Sequence, residues 1–450
     1  MTNTTRKNIF QLFWPIFAET LLMILVGSID TLMVSKVSDN AAGAIGTSNS
    51  FIALFLISFN IISSGVMAVM TQYIGAKKES VAVKALRLGL FINTILGITL
   101  SLILFFFAKE FLHLMDVQPV QFEDALTYTR VIGATIFLNS ITPILSSYLR
   151  AFGKTSLPMV SSLTANLINV IFNAIWIFGL LGAPKLGVLG VALATVIAKV
   201  TNLIMNIMFS IILVKPNKDT FEIGNKKVLK QIIKIGLPAA LETTLYNISM
   251  ALIARMINGM DSEGINNTAR SYAQTITHFS YVIGVSLAQA NSIMVGWAIG
   301  ENKFDEAYKF TLKRLKYGLI LCTIVATTLA LCSNFVVGLF TDNKEILKLC
   351  RMILYLDIIL ELGRVTNLTV GIALKTSGDA VYTVVIGIIF MFLLGVGGSY
   401  LFGLTLEMMV VGCYIGLTAD EVVRGIFMLL RWRTKKWTTK SFIKHKKQEI

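Results

Sequence analysis

The sequence predicts an all-α membrane protein in which twelve transmembrane helices form two pseudo-symmetric six-helix bundles. Three observations predict this fold class: an apolar composition, a series of long apolar stretches, and an internal repeat. The 450 residues are 55% hydrophobic and only 14% charged, whereas soluble globular proteins usually carry about a quarter charged residues. This composition excludes a water-soluble protein with a single core, because lipid is the solvent that tolerates so many apolar stretches.

The apolar stretches define the individual spans. A membrane-spanning helix takes roughly 20 to 25 residues, so the chain has room for about 10 to 13 spans and for no sizeable soluble domain. Stretches longer than about 18 residues lie at 9–35, 45–73, 86–108, 126–149, 157–181, 187–214, 229–258, 268–299, 312–338, 346–374, 380–403 and 407–431. The expected domains are a first bundle over 9–214, a cytoplasmic linker over 215–228, a second bundle over 229–431 and a basic cytoplasmic tail over 432–450.

The basic residues predict the orientation of these spans. Of the 40 Lys and Arg residues, 28 fall on one side of the predicted membrane and 8 on the other, with the remaining four inside or at the edge of helices. Basic residues accumulate in cytoplasmic loops, so both termini are expected in the cytoplasm and the protein in the cell (plasma or inner) membrane. The net charge of +15 is therefore an orientation signal, and a nucleic-acid partner is not expected.

The second half of the chain repeats the first at an offset of about 222 to 225 residues. Four matches are in register: Pro15–Glu19 with Pro238–Glu242, Ile74–Lys78 with Ile299–Lys303, Leu149–Lys154 with Leu374–Asp379, and Gly190 with Gly412. Because each half holds an even number of spans, the halves share an orientation and are related by an axis along the membrane normal. This layout is typical of an alternating-access carrier and not of a channel, which usually builds one pore by symmetric oligomerisation.

Polar residues at membrane depth are the candidate functional residues of the first half, since they are costly in lipid unless they are paired or hydrated. Glu19 and Asp30 lie eleven positions apart in the first span and so share a helix face. Asn169 and Asn173 lie one turn apart in the fifth span, and Thr195 lies in the sixth. Their oxygens could bind a hard cation, but an asparagine in a membrane helix is equally a structural hydrogen-bonding element. Asp30 could also be a carboxylate at an extracellular helix end.

The second half carries its own polar concentration, mainly on the tenth span. Glu361 and Arg364 at positions i and i+3 are expected to neutralise each other. Asp357 has no obvious local partner, which makes it a second candidate site for a proton or ion. Glu242 is the repeat counterpart of Glu19, and either glutamate could be the structural partner of a backbone donor or a basic side chain.

Several other classes of protein are not favoured by these residues. The four cysteines and three histidines are scattered and show no metal-ligand or disulfide spacing, so a disulfide framework or a zinc site is not expected. An integral membrane enzyme would need a cluster of catalytic side chains near one face. A receptor would typically lack the two-half repeat.

Motifs in the first span and at two turns resemble those of a known family. The first span has the form Pro-x3-Glu-x10-Asp-Thr-Leu-Met-Val from Pro15 to Val34, and two paired turns end in Tyr73-Ile74-Gly75 and Trp297-Ala298-Ile299-Gly300. With twelve helices in two halves, these motifs resemble the multidrug and toxic compound extrusion (MATE) family over about residues 10 to 430.

The resemblance implies a V-shaped pair of bundles with a central cavity. It also implies export of cationic or amphipathic organic compounds in exchange for Na⁺ or H⁺, with no other cofactor. The expected partners are these small molecules and the lipid bilayer, and a monomer is expected.

In the branch that the chain most resembles, the cation site corresponds to Asp30, Asn169, Asn173 and Thr195. The secondary candidates are Glu19, Glu242, Asp357, Glu361 and Arg364. Asn173 departs from the family pattern, since that position often holds an Asp. A second branch places carboxylates where this chain has Tyr246 and Arg364, so that constellation is not matched. The alternative function is a flippase for a lipid or a lipid-linked saccharide, which would be expected to have a more basic cavity.

Overall fold

The computed structural model describes residues 8–35, 37–115, 117–213 and 226–443. Within these residues the chain is helical and contains no strand. The helices are α1 (Ile9–Ser35), α2 (Asp39–Gly75), α3 (Glu79–Phe106), α4 (Ala108–Leu114), α5 (Pro119–Thr135), α6 (Leu138–Ala151), α7 (Ser156–Phe178), α8 (Gly187–Leu213), α9 (Lys226–Asn258), α10 (Ile265–Gly300), α11 (Phe304–Leu331), α12 (Ser333–Gly338), α13 (Lys344–Ser377), α14 (Ala380–Phe390) and α15 (Met409–Arg433).

Each of the twelve predicted spans coincides with a long helix or with a bent pair of helices. Among the described residues, seven helices are by themselves long and apolar enough to cross a membrane, and an eighth span results if the bent pair α5 and α6 is counted. The prediction of an all-α membrane protein is confirmed.

The fourth predicted span is a bent pair and not a single helix. Helices α5 and α6 meet at an angle of 47°. At the bend the backbone N–H of Phe137 donates to Oγ of Ser101, at 3.1 Å, so a side chain from α3 replaces an intrahelical acceptor. Pro143, inside α6, also lacks an N–H. Both features interrupt the hydrogen-bond ladder, which is the usual cause of a helix kink.

The ninth predicted span, 312–338, is also divided. Helix α11 ends at Leu331, and the short helix α12 follows it. The first half has the same arrangement, where α3 ends at Phe106 and the short helix α4 follows it. The predicted span 312–338 includes α12, which continues the apolar stretch with Phe335, Val336 and Val337, whereas the predicted span 86–108 ends where α4 begins.

The backbone confirms the internal repeat at two pairs of turns. Lys77, after α2, and Asn302, after α10, both adopt a left-handed conformation with φ of 58° and 63°. Gly153, after α6, and Gly378, after α13, have φ of 73° and 99°, a region in which glycine is favoured. Equivalent positions in the two halves therefore make the same turns.

Two repeat-related glycines allow close contacts between consecutive helices. A Cβ atom on Gly190 would lie 2.6 Å from Cβ of Trp176, which is on the preceding helix. A Cβ atom on Gly412 would lie 2.4 Å from backbone atoms of Phe402. Distances under 3 Å are not possible for real Cβ atoms, so each half needs glycine at this position.

The chain forms two compact units. The first comprises the described residues up to Met70 and those of Lys78–Gly236; the second comprises Thr71–Lys77 and the described residues from Leu237 onward. Part of the core of the first unit includes Phe51, Phe59 and Ile132. Part of the core of the second includes Ile253, Ile276 and other buried residues of α9, α10, α13 and α15.

One helix of the second unit has an irregular winding. The helix that begins with α14 continues through two π-helical segments, Met391–Val396 and Ser399–Thr405. Within them Oγ of Ser399 donates to the carbonyl of Gly395 at 2.6 Å. Wider π-helical turns are rare and often lie beside functional sites; here the first of them contributes Met391 to the wall of a cavity.

Candidate functional site

Three of the four predicted cation-site residues form a polar chain in the first unit. Helix α7 packs against α1 and α8. On α7, Nδ2 of Asn173 donates to Oδ1 of Asn169 at 3.2 Å. Nδ2 of Asn169 faces Oγ1 of Thr195, on α8, at 3.5 Å, and that hydroxyl donates to the carbonyl of Val191 at 2.9 Å.

This polar chain is largely closed to solvent. The side chains of Asn173 and Asn169 have exposed fractions of 1% and 6%. The spacing of one turn along α7 accounts for the contact between the two amides, and the contact between α7 and α8 adds the hydroxyl of Thr195. The structure therefore brings together three residues that the sequence placed on two neighbouring spans.

The fourth predicted residue, Asp30, lies within helix α1. Its backbone is helical, and its side chain lies outside the described part of the structure. Because α1 packs against α7, the helix that carries Asp30 is a direct neighbour of the helix that carries Asn169 and Asn173. Carboxylate, amide and hydroxyl oxygens are the ligands that hard cations prefer.

Glu19 and Glu242 both form ion pairs. In the first unit the carboxylate of Glu19 lies 2.8 Å from Nη2 of Arg150 and accepts a hydrogen bond from Oγ of Ser162 at 3.1 Å. In the second unit the carboxylate of Glu242 lies 2.6 Å from Nζ of Lys375. The basic partners that the sequence left open are thus repeat-related residues themselves.

The second unit contains a cavity of about 630 Å³, a size common for small-molecule sites. It lies among α9, α10, α13, the helix that begins with α14, and α15. Its walls include four basic residues, three acidic residues and several aromatic and polar side chains: Arg270, Arg364, Lys375, Arg424, Glu242, Asp420, Glu421, Tyr246, Tyr281, Tyr414, Gln274, His278, Asn247 and Asn367.

Two arginines of this wall form a network with buried carboxylates. Arg364 pairs with Glu361, one turn away on α13, as the sequence predicts. Arg424 lies 2.7 Å from Asp420 and 3.0 Å from Glu421 on α15. Glu421 also lies 4.0 Å from Arg364, so a single network joins α13 and α15.

Asp357 lies close to this network, and the described residues give its Oδ1 atom no hydrogen-bond partner. Its side chain is 2% exposed, and its Oδ1 atom is buried. It is one turn from Glu361 on the same face of α13. Among the described residues, no basic side chain forms an ion pair with it, as the sequence predicts for its local neighbours.

Arg270 is one of the eight basic residues that the charge pattern assigns to the side opposite the cytoplasm. Arg270 lies on α10 and lines the second-unit cavity. The predicted span began at residue 268, so its own boundary already placed Arg270 inside the helix. A basic residue inside an apolar span is itself a signal of function, and that signal was available in the sequence.

Comparisons with known proteins agree with this architecture. A family model described as MatE matches residues 15–175 and 238–401, so each matched segment begins at the repeat-related proline. The Uncharacterized transporter YisQ of Bacillus subtilis (strain 168) is 33% identical, over 96% of this chain and 95% of that protein. The Probable multidrug resistance protein NorM of the same strain is 23% identical, over 97% of this chain and 98% of NorM.

Solved structures show the same fold. A crystal structure of MATE in the bent conformation matches with a TM-score of 0.86 and 20% identity, over 95% of this chain and 94% of that one. A multidrug resistance MATE family transporter of the MOP superfamily, in an outward-facing conformation, matches with a TM-score of 0.85 over 97% and 96% of the two chains. At this identity the likeness establishes the fold alone.

Proposed function

Because the chain belongs to the MatE family of membrane transporters, we propose that it is an antiporter that exports cationic or amphipathic organic compounds. Export proceeds by alternating access and is coupled to the entry of Na⁺ or H⁺. The relatives named as multidrug resistance proteins, among them NorM and MdtK of Photorhabdus laumondii, support the substrate class. A transporter family also accounts for a chain without the residue pattern of an enzyme.

The polar chain of the first unit is the observation that carries the coupling proposal. Asn169, Asn173 and Thr195 are joined by hydrogen bonds at the contact of α7 and α8, beside the helix that carries Asp30. Burying several amide and hydroxyl groups together is costly unless they bind one another or a ligand. A cation at Asp30 would replace part of this internal hydrogen bonding with ion–oxygen contacts.

The coupling follows from linkage. If the cation changes how α1 packs against α7, and substrate also depends on that packing, then each ligand changes the affinity of the other by the same factor. Cation entry and substrate exit are then two expressions of one coupling free energy. Glu19, also on α1, pairs with Arg150 of α6. This ion pair would hold the part of α1 around Glu19 in place during the change.

We also propose the orientation and organisation that the charge pattern predicts. Both termini face the cytoplasm, the linker over 215–228 lies there as well, and the bundles span 9–214 and 229–431. The protein acts as a monomer in the cell membrane. The marked excess of basic residues on one side of the predicted membrane supports this arrangement.

The experiment that tests the proposal is an efflux assay in proteoliposomes with a fluorescent cationic dye. Transport is measured with and without Na⁺ and with and without a pH gradient. We expect Asp30→Asn to reduce cation-dependent efflux at least about 10-fold, because it removes the charge that attracts the cation. Glu123→Gln, an exposed carboxylate on α5, is the matched control and should retain efflux. Intact cation-dependent efflux in Asp30→Asn would refute the assignment.

A second variant tests the polar chain itself. Asn173→Leu has a similar volume but cannot bind Asn169, and we expect it to weaken the cation dependence of efflux. Asn206→Leu is its control, because Asn206 is also buried and hydrogen-bonded, to Asn202 on α8 at 2.8 Å. Equal effects of the two substitutions would indicate general destabilisation and not a cation site.

A further inference from the structure

We propose that the second-unit cavity binds the anionic group of an amphipathic ligand, and that Arg270 is the residue that recognises it. The inference rests on the proposed function and specifies its substrate class: compounds that carry a carboxylate, sulfonate or phosphate as well as an apolar body. Three features support it: the lack of an ion-pair partner for Arg270 among the described residues, the fixed position of Arg270, and the aromatic and polar character of the other walls.

Three of the four basic residues in the cavity wall have carboxylate partners. Lys375 pairs with Glu242, Arg364 pairs with Glu361, and Arg424 pairs with Asp420 and Glu421. Each of these cations is therefore already neutralised by a carboxylate within the unit.

Arg270 is the exception. In the part of the chain that the structure describes, Arg270 forms no ion pair and no hydrogen bond, and its Nε atom is buried without a partner. Asp357 is the remaining buried carboxylate of the region, but it lies outside the cavity wall and does not pair with Arg270. Among the described residues, Arg270 is therefore the basic group of the cavity wall that lacks a carboxylate partner, and its guanidinium is available to an anion.

The position of Arg270 is fixed by its neighbours on α10. Ala269 and Ala273 are fully buried in the core of the second unit. One turn before Arg270, the side chain of Asn266 accepts a hydrogen bond from the backbone N–H of Val410 at 3.2 Å. A guanidinium held in a fixed place offers a planar, bidentate donor to a carboxylate or phosphate without a large entropic cost.

The rest of the cavity suits the body of an amphipathic molecule. Gln274 and His278 follow Arg270 at intervals of one turn on α10, so they line one side of the cavity. Tyr246, Tyr281 and Tyr414 contribute aromatic surface. Aromatic rings accept apolar and planar groups, while their hydroxyls keep contact with water or polar ligand atoms.

The test is a binding experiment with two matched probes. A rhodamine with a free carboxylate and its methyl ester differ in the anionic group while sharing the same cationic aromatic body. Their affinities for the full-length protein are measured in detergent by fluorescence anisotropy. We expect the wild type to bind the carboxylate probe more tightly than the ester.

The variants then identify the residue. Arg270→Gln should lower the affinity for the carboxylate probe by about 10-fold to 100-fold, which corresponds to the loss of a charge-assisted hydrogen-bonded contact. The affinity for the ester should change by less than about twofold. Arg270→Lys should restore part of the preference, because it keeps the charge but not the planar fork. Arg255→Gln, an exposed arginine at the end of α9, is the matched control and should behave as the wild type.

The outcomes separate this inference from the proposed function. If Arg270→Gln leaves the preference for the carboxylate unchanged, or weakens both probes equally in a protein with an unchanged melting temperature, the inference is wrong. Binding in detergent needs no ion gradient. Failure of the efflux assay, which would contradict the proposed function, is therefore distinguishable from failure of the binding test, which would contradict the role of Arg270.

Competition identifies the source of the anion. Displacement of the carboxylate probe by short-chain phosphatidylglycerol, but not by phosphatidylcholine, supports the anion site with a lipid headgroup as the natural ligand. Displacement by a soluble aromatic carboxylate alone supports the same site with a small exported molecule.

Discussion

The carboxylate of Glu19 lies 2.8 Å from Nη2 of Arg150, and this ion pair has a repeat-related counterpart between Glu242 and Lys375 at 2.6 Å. In each half the pair joins the helix that carries the repeat-related proline to the end of the helix that precedes the left-handed glycine turn shared by both halves. The side chains are 12% to 23% exposed. They are therefore partly desolvated, and the loss of one partner should matter more than at a surface pair.

We predict that the two ion pairs contribute similar coupling energies to stability. Glu19→Gln and Arg150→Gln should each lower the free energy of unfolding by about 1 to 3 kcal/mol, and the double variant by less than the sum. The cycle of Glu242→Gln and Lys375→Gln should give a coupling of the same sign. Reversible unfolding in mixed micelles measures these energies. Additive effects in either cycle would show that its pair is not coupled.

We predict that replacing the repeat-related glycines Gly190 and Gly412 with alanine destabilises the protein. Gly412→Ala should lower the free energy of unfolding by about 1 to 3 kcal/mol, because the new Cβ would overlap the backbone of Phe402. Gly190→Ala should be less harmful, since its neighbour is a side-chain atom of Trp176. Gly46→Ala is the control, because no atom lies within 4 Å of the added Cβ; its melting temperature should stay unchanged or rise.

Asp261 predicts a pH-dependent contribution to stability at the start of α10. It accepts hydrogen bonds from the side-chain amide and backbone N–H of Asn266, at 2.7 and 3.0 Å, and from the N–H of Ile265 at 2.8 Å. These bonds hold the pKa of the carboxyl below its usual range, the side-chain bond contributing most. Asp261→Ala should therefore cost about 0.5 to 2 kcal/mol at neutral pH, as the loss of a helix cap does.

The sign of the pH dependence follows from linkage. Because the folded state has the lower pKa, the stabilisation is complete above the unfolded value of about 4 and is lost as the pH falls through the lowered folded value. The difference in melting temperature between wild type and Asp261→Ala should shrink over this range. Asp342→Ala, an exposed carboxylate, is the control. A difference that does not change with pH would contradict the assignment.

The buried carboxylates of α13 predict opposite effects from two similar substitutions. Asp357→Asn should leave stability unchanged or raise it, because it removes a buried charge that has no ion-pair partner among the described residues. Glu361→Gln should lower the free energy of unfolding by about 2 to 4 kcal/mol, because it leaves Arg364 with a weaker counter-charge. Each substitution changes a carboxylate to its amide at constant volume. Equal losses of unfolding free energy in the two variants would show that the ion pair with Arg364 does not distinguish Glu361 from Asp357.

Much of the fold is predictable from sequence because its determinants are local. A helix in lipid must satisfy its own backbone hydrogen bonds, so a long apolar stretch predicts a helix without knowledge of its neighbours. The division of the span at 126–149 has one local cause, Pro143, and one distant cause, Ser101 on α3. The contact with Ser101 could not be predicted from the periodicity of the span, because it depends on how α3 packs.

In the candidate sites, contacts within one helix were predictable from sequence, whereas contacts between distant helices were not. The spacing of Asn169 and Asn173 along one helix predicts their contact, and the spacing of Glu361 and Arg364 predicts their pairing. The pairing of Glu242 with Lys375 joins residues that are far apart in the chain, and only packing could identify it.

The sequence by itself determined that the chain is a twelve-helix membrane protein with an internal repeat, because hydropathy and repeat register are properties of the chain alone. The tertiary structure decided which polar residues have partners. It supplied the counter-charges of Glu19 and Glu242, and it placed Arg270 in a cavity wall. The physical reason is that the cost of a charge in lipid depends on the groups around it, and those groups are assembled only when distant helices pack together.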